Sequence, residues 1–310
     1  MKIIFMGTPD FSVGTLESLI EAGHEIQLVV TQPDKPKGRG NAMQFSPVKE
    51  AALRHNLPVF QPRRIREPEC VARLRELQPD MIVVVAFGQI LTKEILDLPP
   101  YGCINVHASL LPKYRGAAPI QWAIIEGETV SGVTTMQMDE GLDTGDMIQK
   151  TEIVLDKNET GESLHDKLAE AGAKLCVETL KAGEAGTATF EKQGETPTAY
   201  ARMLDKKLGE IDWTKSAVSI ERLVRGLNSW PSAYTTWDGK VMKIWEAEVQ
   251  EADGNEQIPG TVVSVEKDSI NVLTGDGILK IKALQIPGKK RMDTGAFLRG
   301  YSVAEGTKLG

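Results

Sequence analysis

Apolar residues along this chain fall into two patterns, and the change from one to the other divides it. Lys2 to Met6 is a short apolar run broken at Gly7. Val13, Leu16, Leu19 and Ile20 then recur at helical spacing as far as Gly23, with Asp10 placed to cap the helix, and Glu25 to Val30 reads as the next strand. Strand, helix and strand in immediate succession form a βαβ unit, whose crossover implies a parallel pair. A helix over Val48 to His55, a short strand at Leu57 to Phe60 and an amphipathic helix over Glu67 to Leu77 continue the alternation. They lead into Met81 to Val85, apolar at every position and therefore expected to be a central strand buried on both faces.

Further strands are expected at Cys103 to Val106, Gly132 to Met138 and Met147 to Leu155, with helices over Pro119 to Glu126 and Glu162 to Leu180. Residues 1–190 thus read as an α/β domain with a mainly parallel sheet. Residues 191–208, with Gly194, Pro197 and several charges, read as a linker. Beyond a helix at Ser216 to Leu227 the period changes to two. Short runs recur at Tyr234 to Trp237, Val241 to Val249, Gly260 to Val265, Ile270 to Leu273 and Ile278 to Leu284, parted by Asp238-Gly239, Asp253-Gly254 and Gly275-Asp276-Gly277. Five short strands with tight turns predict a small β-barrel over 209–310.

At 310 residues the chain has room for these two domains and a sizeable core. The net charge of −7 argues against a generally sticky nucleic-acid binder. From residue 191 onward, however, 17 basic residues balance 17 acidic ones, so the deficit lies wholly in the first part. Cys70, Cys103 and Cys176 lie far apart without CxxC spacing, and there are four histidines, which suggests neither a disulfide framework nor a zinc site. The apolar start is too short for a signal peptide, and no run approaches the ~20 apolar residues of a membrane span. The chain reads as soluble and cytoplasmic.

Candidate chemistry gathers at strand ends. Asn105 and His107 stand two residues apart on one strand, so they share a face, just before the bend Ser109 to Pro119. A second polar cluster, Asp139 to Asp146, follows the next β-type run. In open α/β sheets ligands bind beyond the carboxyl ends of strands, which brings Ala86-Phe87-Gly88-Gln89-Ile90-Leu91 to the same crevice. An amide donor can follow a carbonyl oxygen as it becomes an oxyanion, an imidazole can exchange a proton near neutral pH, and Asp143 can orient it or take the nucleophile's proton. That set suits acyl transfer. No serine or cysteine sits in a nucleophile elbow, which favours direct transfer between two bound substrates. Plainer readings stand beside these: a turn asparagine, a half-buried histidine, turn-shaping aspartates and a core Phe87. Thr31 to Lys49, with Lys35, Lys37 and Arg39 among prolines and glycines, reads either as a solvated insertion or as a loop that contacts nucleic acid. The segment GTPDFSVG departs from GxGxxG, which disfavours a nicotinamide dehydrogenase.

The run SLLPKYRGAAPIQWAIIEGE, preceded by Asn-x-His and followed by MDEGLDTGDM, closely resembles the formyltransferase family that uses 10-formyltetrahydrofolate. With VTQPDKPKGRG, AFGQIL and the C-terminal extension, the resemblance to the family's tRNA-acting members spans essentially the whole chain. It implies a Rossmann-like N-terminal domain, an OB-like barrel, and transfer of the formyl group of 10-formyltetrahydrofolate to the α-amine of methionine carried by initiator tRNA. No metal is implied, and a monomer is expected. Asn105, His107 and Asp143 fall on the family's catalytic trio. Ser109, Leu110, Leu111 and Pro112, the backbone near Phe87, Gly88 and Leu91, and the loop from Asp139 fall on its folate site. The insertion carrying Lys35, Lys37 and Arg39 falls on the segment that contacts the tRNA acceptor end, and the barrel, with Lys206-Lys207 and Lys289-Lys290-Arg291, on the part that holds the tRNA. The rivals are a formyltransferase for a nucleotide sugar or glycinamide ribonucleotide, and a non-catalytic tRNA-binding protein that merely holds folate.

Overall fold

The computed structural model describes residues 1–37, 42–252 and 258–310. It divides into two compact units, one of Met1–Pro119, Val130–Val154 and His165–Ala201, the other of Ile120–Thr129, Leu155–Leu164 and Arg202–Gly310.

The first unit opens as the pattern of its residues requires: β1 (Lys2–Gly7), α1 (Val13–Glu21) and β2 (Glu25–Val30), with β1 and β2 parallel. Asp10 does not cap α1. The chain enters through a 3-10 turn at Asp10–Ser12, which starts the helix three residues later, and the Asp10 carboxylate accepts instead from the N–H of Phe11 at 3.0 Å. The stretch after β2 is not structureless. β3 (Lys35–Lys37) pairs antiparallel with β4 (Ala42–Gln44), a hairpin hidden in the sequence because Pro36 and the flanking lysines are poor strand formers. Next come α2 (Pro47–Arg54), β5 (Val59–Phe60), α3 (Pro68–Glu76), β6 (Met81–Val85), a short α4 (Lys93–Leu96) and β7 (Cys103–His107). The remainder consists of β8 (Val130–Gln137), β9 (Met147–Val154) and most of the long α6 (Gly161–Glu184); the first turn of α6 belongs to the second unit, as does α5 (Pro119–Ile125) beyond Pro119.

The seven-stranded sheet runs β5-β2-β1-β6-β7-β8-β9, parallel from β5 to β7 and antiparallel for the last two pairs. β6 is buried at every position. Ile4, Met6, Leu28, Val30, Ile82 and Val84, alternate residues of three adjacent strands, share a cluster with Val71 and Leu74 of α3 and Ile95 of α4. Period-two alternation aims one row of side chains at those helices, and the burial of each such aliphatic stabilises the fold by about 1.5–3 kcal/mol.

In the second unit α7 (Ala217–Gly226) is capped by Ser216, whose Oγ accepts from the N–H of Ser219 at 3.1 Å, and it buries Ala217, Ile220 and Val224 along one face. β10 (Ala233–Trp237), β11 (Lys240–Gln250), β12 (Val262–Val265), β13 (Ile270–Leu273), β14 (Ile278–Gln285) and the two-residue β15 (Met292–Asp293) precede α8 (Thr294–Leu298). The order β10-β11-β14-β13-β12 is antiparallel throughout. The last residues bridge its two edges. Val262 donates to the carbonyl of Thr307 and Leu309 to that of Gly260, each at 2.8 Å, while Gly310 donates to Thr236 on β10 at 3.0 Å. Phe297 fills the interior, stacked on Tyr301 at 4.8 Å and edge-on to Trp237 at 5.3 Å. The tight turn expected at Asp253-Gly254 lies outside the described residues. Among the described residues no helix is long and apolar enough to cross a membrane.

Candidate active site

β7 pairs in register with Val84 on one side and Met136 on the other through Asn105, and with Thr134 through His107. The pleat therefore gives Asn105 and His107 the common face expected of them. Asn105 is half-buried, and among the described residues its carboxamide has no hydrogen-bond partner. His107, 6 % exposed, is held from two sides. Its Nε2 lies 3.0 Å from the carbonyl oxygen of Tyr114. A carbonyl only accepts, so that bond puts the proton on Nε2 and leaves Nδ1 to face the carboxylate of Asp143, with Oδ2 at 3.8 Å. That distance is beyond a direct hydrogen bond and within reach of an ion pair when the imidazole is protonated.

Asp143 reaches His107 from the loop between β8 and β9, where it adopts a left-handed backbone with φ 56°. Its Oδ2 accepts from the N–H of Gly116 at 2.9 Å. Gly116 has φ 128°, and a Cβ there would lie 2.6 Å from the carbonyl oxygen of Ala201, so only glycine allows this approach. Behind both loops runs the segment 191–201. Glu191 and Met147 exchange both backbone bonds at 2.8 Å, Tyr114 donates to Thr198 Oγ1 at 2.8 Å, and Ala201 accepts from Ala117 and Ala118. Between them Gln193 donates through Nε2 to the carbonyls of Asp143 (2.8 Å) and Gly145 (2.7 Å), and accepts through Oε1 from Arg115 Nε (2.9 Å). Neither Gln193 nor Thr198 was marked by spacing or neighbours in the sequence, where Gly194 and Pro197 made the whole segment resemble a linker.

The other expected site residues are placed less uniformly. Ser109 donates to the carbonyl of Lys113 at 2.6 Å, while Thr134 Oγ1 donates to Ser109's carbonyl at 2.7 Å and accepts from Leu111 at 3.1 Å. Leu110 packs near Gly132, Leu111 is buried with Met136 and Met147, and the bond from Leu111 to the half-buried Pro112 is cis. Asp139 is exposed and accepts from Gly141 and Thr144, shaping its own turn. Phe87 and Leu91, 2 % and 4 % exposed, point into the core cluster, so the core reading holds for the Phe87 side chain and only backbone faces outward there. The Phe87 carbonyl accepts from Thr8 Oγ1 and Gln32 Nε2, both at 3.1 Å, just before Gly88 with φ 82°. Thr8 and Gln32 were not singled out in the sequence either.

Of the expected tRNA contacts, Lys35 is exposed on β3 and Lys37 ends that strand, whereas Arg39 lies outside the described residues. The hairpin's base is pinned by Asp34, whose carboxylate accepts from Lys49 (2.6 Å) and Gln61 (2.7 Å). Those bonds hold its carboxyl below the ordinary range, the Lys49 bond most strongly. Lys206 and Lys207 are exposed on a 3-10 turn capped by Asp205 in the second unit. Arg291 lies over the Trp245 ring at 5.4 Å from its centroid and 3.9 Å from Glu246. Burial pushes the Cys103 and Cys176 thiols up to about 12, which makes both poor nucleophiles. Among the described residues no group of three or more His, Cys, Asp or Glu is placed to hold a metal ion.

A family profile described as "Formyl transferase" matches residues 1–180, and one described as "Formyl transferase, C-terminal domain" matches residues 203–302. A methionyl-tRNA formyltransferase of Agathobacter rectalis is 61 % identical over 99 % of this chain and 99 % of its own length. One from Clostridioides difficile is 54 % identical over the whole of both chains. Among solved structures, the sugar 3N-formyl transferase WlaRD matches with a TM-score of 0.67 at 20 % identity, covering 94 % of this chain and 99 % of that one. The N-formyltransferase of Helicobacter canadensis matches with a TM-score of 0.68 at 18 % identity, covering 91 % and 99 %. At such identities the two structures speak for the fold alone.

Proposed function

We infer the function of this chain from its family: it belongs to the formyl transferases, through both domain profiles and through full-length relatives more than half identical to it. It is an enzyme that transfers the formyl group of 10-formyltetrahydrofolate to the α-amine of methionyl-tRNA, giving N-formylmethionyl-tRNA for translation initiation. We propose that Asn105, His107 and Asp143 carry out the transfer. The observation that carries this reading is the half-buried Asn105 carboxamide, unpartnered among the described residues, on the same strand face as an imidazole whose Nδ1 faces a carboxylate at 3.8 Å.

The donor fits these residues. 10-Formyltetrahydrofolate supplies an activated formyl carbonyl, whose oxygen gathers negative charge as the α-amine adds to its carbon and gives that charge up as the bond to the folate nitrogen breaks, the nitrogen leaving with a proton. The Asn105 amide is an uncommitted hydrogen-bond donor for that oxygen, and loss of such a donor typically costs ~10²–10³ in rate. His107, with Nε2–H spent on Tyr114, works through Nδ1. Asp143 takes the proton shed by the attacking amine, through water, and its Gly116 bond keeps the carboxylate aimed while it does so. We assign folate binding to Ser109, Leu110, Leu111 and Pro112, to the backbone at Phe87, Gly88 and Leu91, and to the loop from Asp139. tRNA binding is assigned to Lys35, Lys37 and Arg39 and to Lys206 and Lys207. On this reading 1–190 is the catalytic domain, 191–208 a linker whose part up to Ala201 packs with that domain, 209–310 the tRNA-binding barrel, and the protein acts as a cytoplasmic monomer.

The test supplies labelled 10-formyltetrahydrofolate with charged initiator tRNA, charged elongator tRNA, an amino sugar nucleotide and glycinamide ribonucleotide. Label is expected on the initiator methionyl-tRNA alone; label on a small amine with none on the tRNA refutes the reading.

A further inference from the structure

The segment between Phe190 and Arg202 does more than connect. A peptide that merely joins two bodies has its backbone groups open to water, whereas this one is bonded at Glu191, Gln193, Thr198 and Ala201 to the two loops that meet at His107. Among the described residues, Gln193 is the one side chain in it that grips the Asp143 loop directly. Both Nε2 hydrogens are spent, one on the carbonyl of Asp143 and one on that of Gly145, and Oε1 is fixed by Arg115, the neighbour of Gly116. Gln193 therefore ties the residue that carries the carboxylate to the turn that supplies its N–H donor. Arg115 is anchored in turn, its Nη2 donating to the carbonyl of Gly194 at 3.1 Å.

The geometry needs such a tie. Asp143 holds a left-handed backbone, a conformation that costs a non-glycine residue energy and persists only when its surroundings impose it. Its bonds within the turn do not impose it: Asp139 closes the turn at Gly141 and Thr144, leaving the carbonyl of Asp143 to Gln193. Without those two donors, the Asp143 and Gly145 carbonyls lose their side-chain partner, and the carboxylate keeps only the Gly116 bond to aim it.

We propose that Gln193 is a positioning residue for formyl transfer, holding the Asp143 carboxylate opposite His107 by clamping the Asp143 and Gly145 carbonyls to the Arg115–Gly116 turn. This rests on the role given to Asp143 above. Gln193 touches neither substrate nor reacting atoms, and it acts only through Asp143.

The experiment is a double-mutant cycle with Gln193→Ala and Asp143→Asn on the full-length enzyme, with kcat and KM for both substrates measured by single-turnover and steady-state formylation. Gln193→Ala is expected to lower kcat roughly 10- to 100-fold, the scale of an ångström-sized misplacement, with both KM values within about twofold of native. In the Asp143→Asn background the same change is expected to cost no more than about twofold. Gln193→Glu keeps the acceptor for Arg115 but has no donor for the two carbonyls, so it is expected to be as impaired as Gln193→Ala and serves as the second variant if the alanine form folds poorly. A readout independent of turnover is the amide proton of Gly116 in the substrate-free protein, which is expected to move upfield in both Gln193 variants as its bond to Asp143 weakens. Native kcat in Gln193→Glu, an equal loss in both backgrounds, or an unmoved Gly116 amide overturns the proposal. Native kcat in Asp143→Asn alone overturns instead the role of Asp143 on which it rests.

Discussion

The main-chain N–H of Gly116 donates to Oδ2 of Asp143 at 2.9 Å, and that same oxygen is the one 3.8 Å from His107 Nδ1. One backbone donor therefore aims the carboxylate, and the imidazole it faces is held by Tyr114, two residues before that glycine. A single turn, 114–116, thus sets both partners. Errors in this turn should register in the chemistry before they register in substrate binding.

Replacing Asp143 with Asn removes the charge but keeps an oxygen for the Gly116 N–H. The expected outcome is a loss of ~10²–10⁴ in kcat, with KM for tRNA and folate nearly unchanged and no large change in melting temperature. Asn105→Ala is expected to cost ~10²–10³ in kcat by the same split. Steady-state formylation with each substrate varied in turn checks both.

Gly116→Ala is a different kind of lesion. Its Cβ would meet the Ala201 carbonyl at 2.6 Å in a backbone with φ 128°, so the turn must shift, at a cost of about 1–3 kcal/mol. The shift carries the N–H away from Asp143. Urea unfolding should therefore show reduced stability, and formylation a kcat defect with substrate affinities retained.

Lys35, Lys206 and Lys207 are exposed and form no ion pair among the described residues, leaving their charge available to phosphate. Alanine at any of them is expected to raise KM for tRNA, leave KM for folate unchanged, and flatten the plot of log affinity against log salt by about 0.7–0.9 for each phosphate that is no longer neutralised. Titration of binding between low and moderate salt measures this.

Glu266 supplies a pH prediction in the second unit. Its carboxylate accepts from Lys280 Nζ (2.8 Å), Asn271 Nδ2 (2.9 Å) and Ser269 Oγ (3.2 Å), with the lysine bond dominant, and these hold its carboxyl down to about 2 from an ordinary 4.5. The unfolded chain takes up that proton first as the solution is acidified. The contribution is therefore complete above about 4.5 and disappears as pH falls from 4.5 toward 2. Native protein and Glu266→Gln should differ by a constant amount at neutral pH and converge across that window in acid-unfolding curves.

Legibility in the sequence followed range along the chain. Strand and helix periods depend on residues within a few positions of one another, so β1, β2, β6, β7 and α7 were expected within a residue or two of where they lie. The shared face of Asn105 and His107 is likewise a property of one strand. The hairpin of β3 and β4 escaped because its strands are three residues long and one contains proline, and the cap at Asp10 failed because a 3-10 turn delays the helix.

Residue order alone thus yields the α/β and mainly β halves, the family and the polar pair at the end of β7, because each is written in local period or in an unbroken motif. Packing in three dimensions is what turns Asp143 back to face His107, sends the Phe87 side chain to the core, and closes Gln193 on the Asp143 loop. Those relationships join residues far apart along the chain through left-handed turns and backbone carbonyls. A carbonyl is common to every residue type, so no residue pattern announces which side chain will bind it.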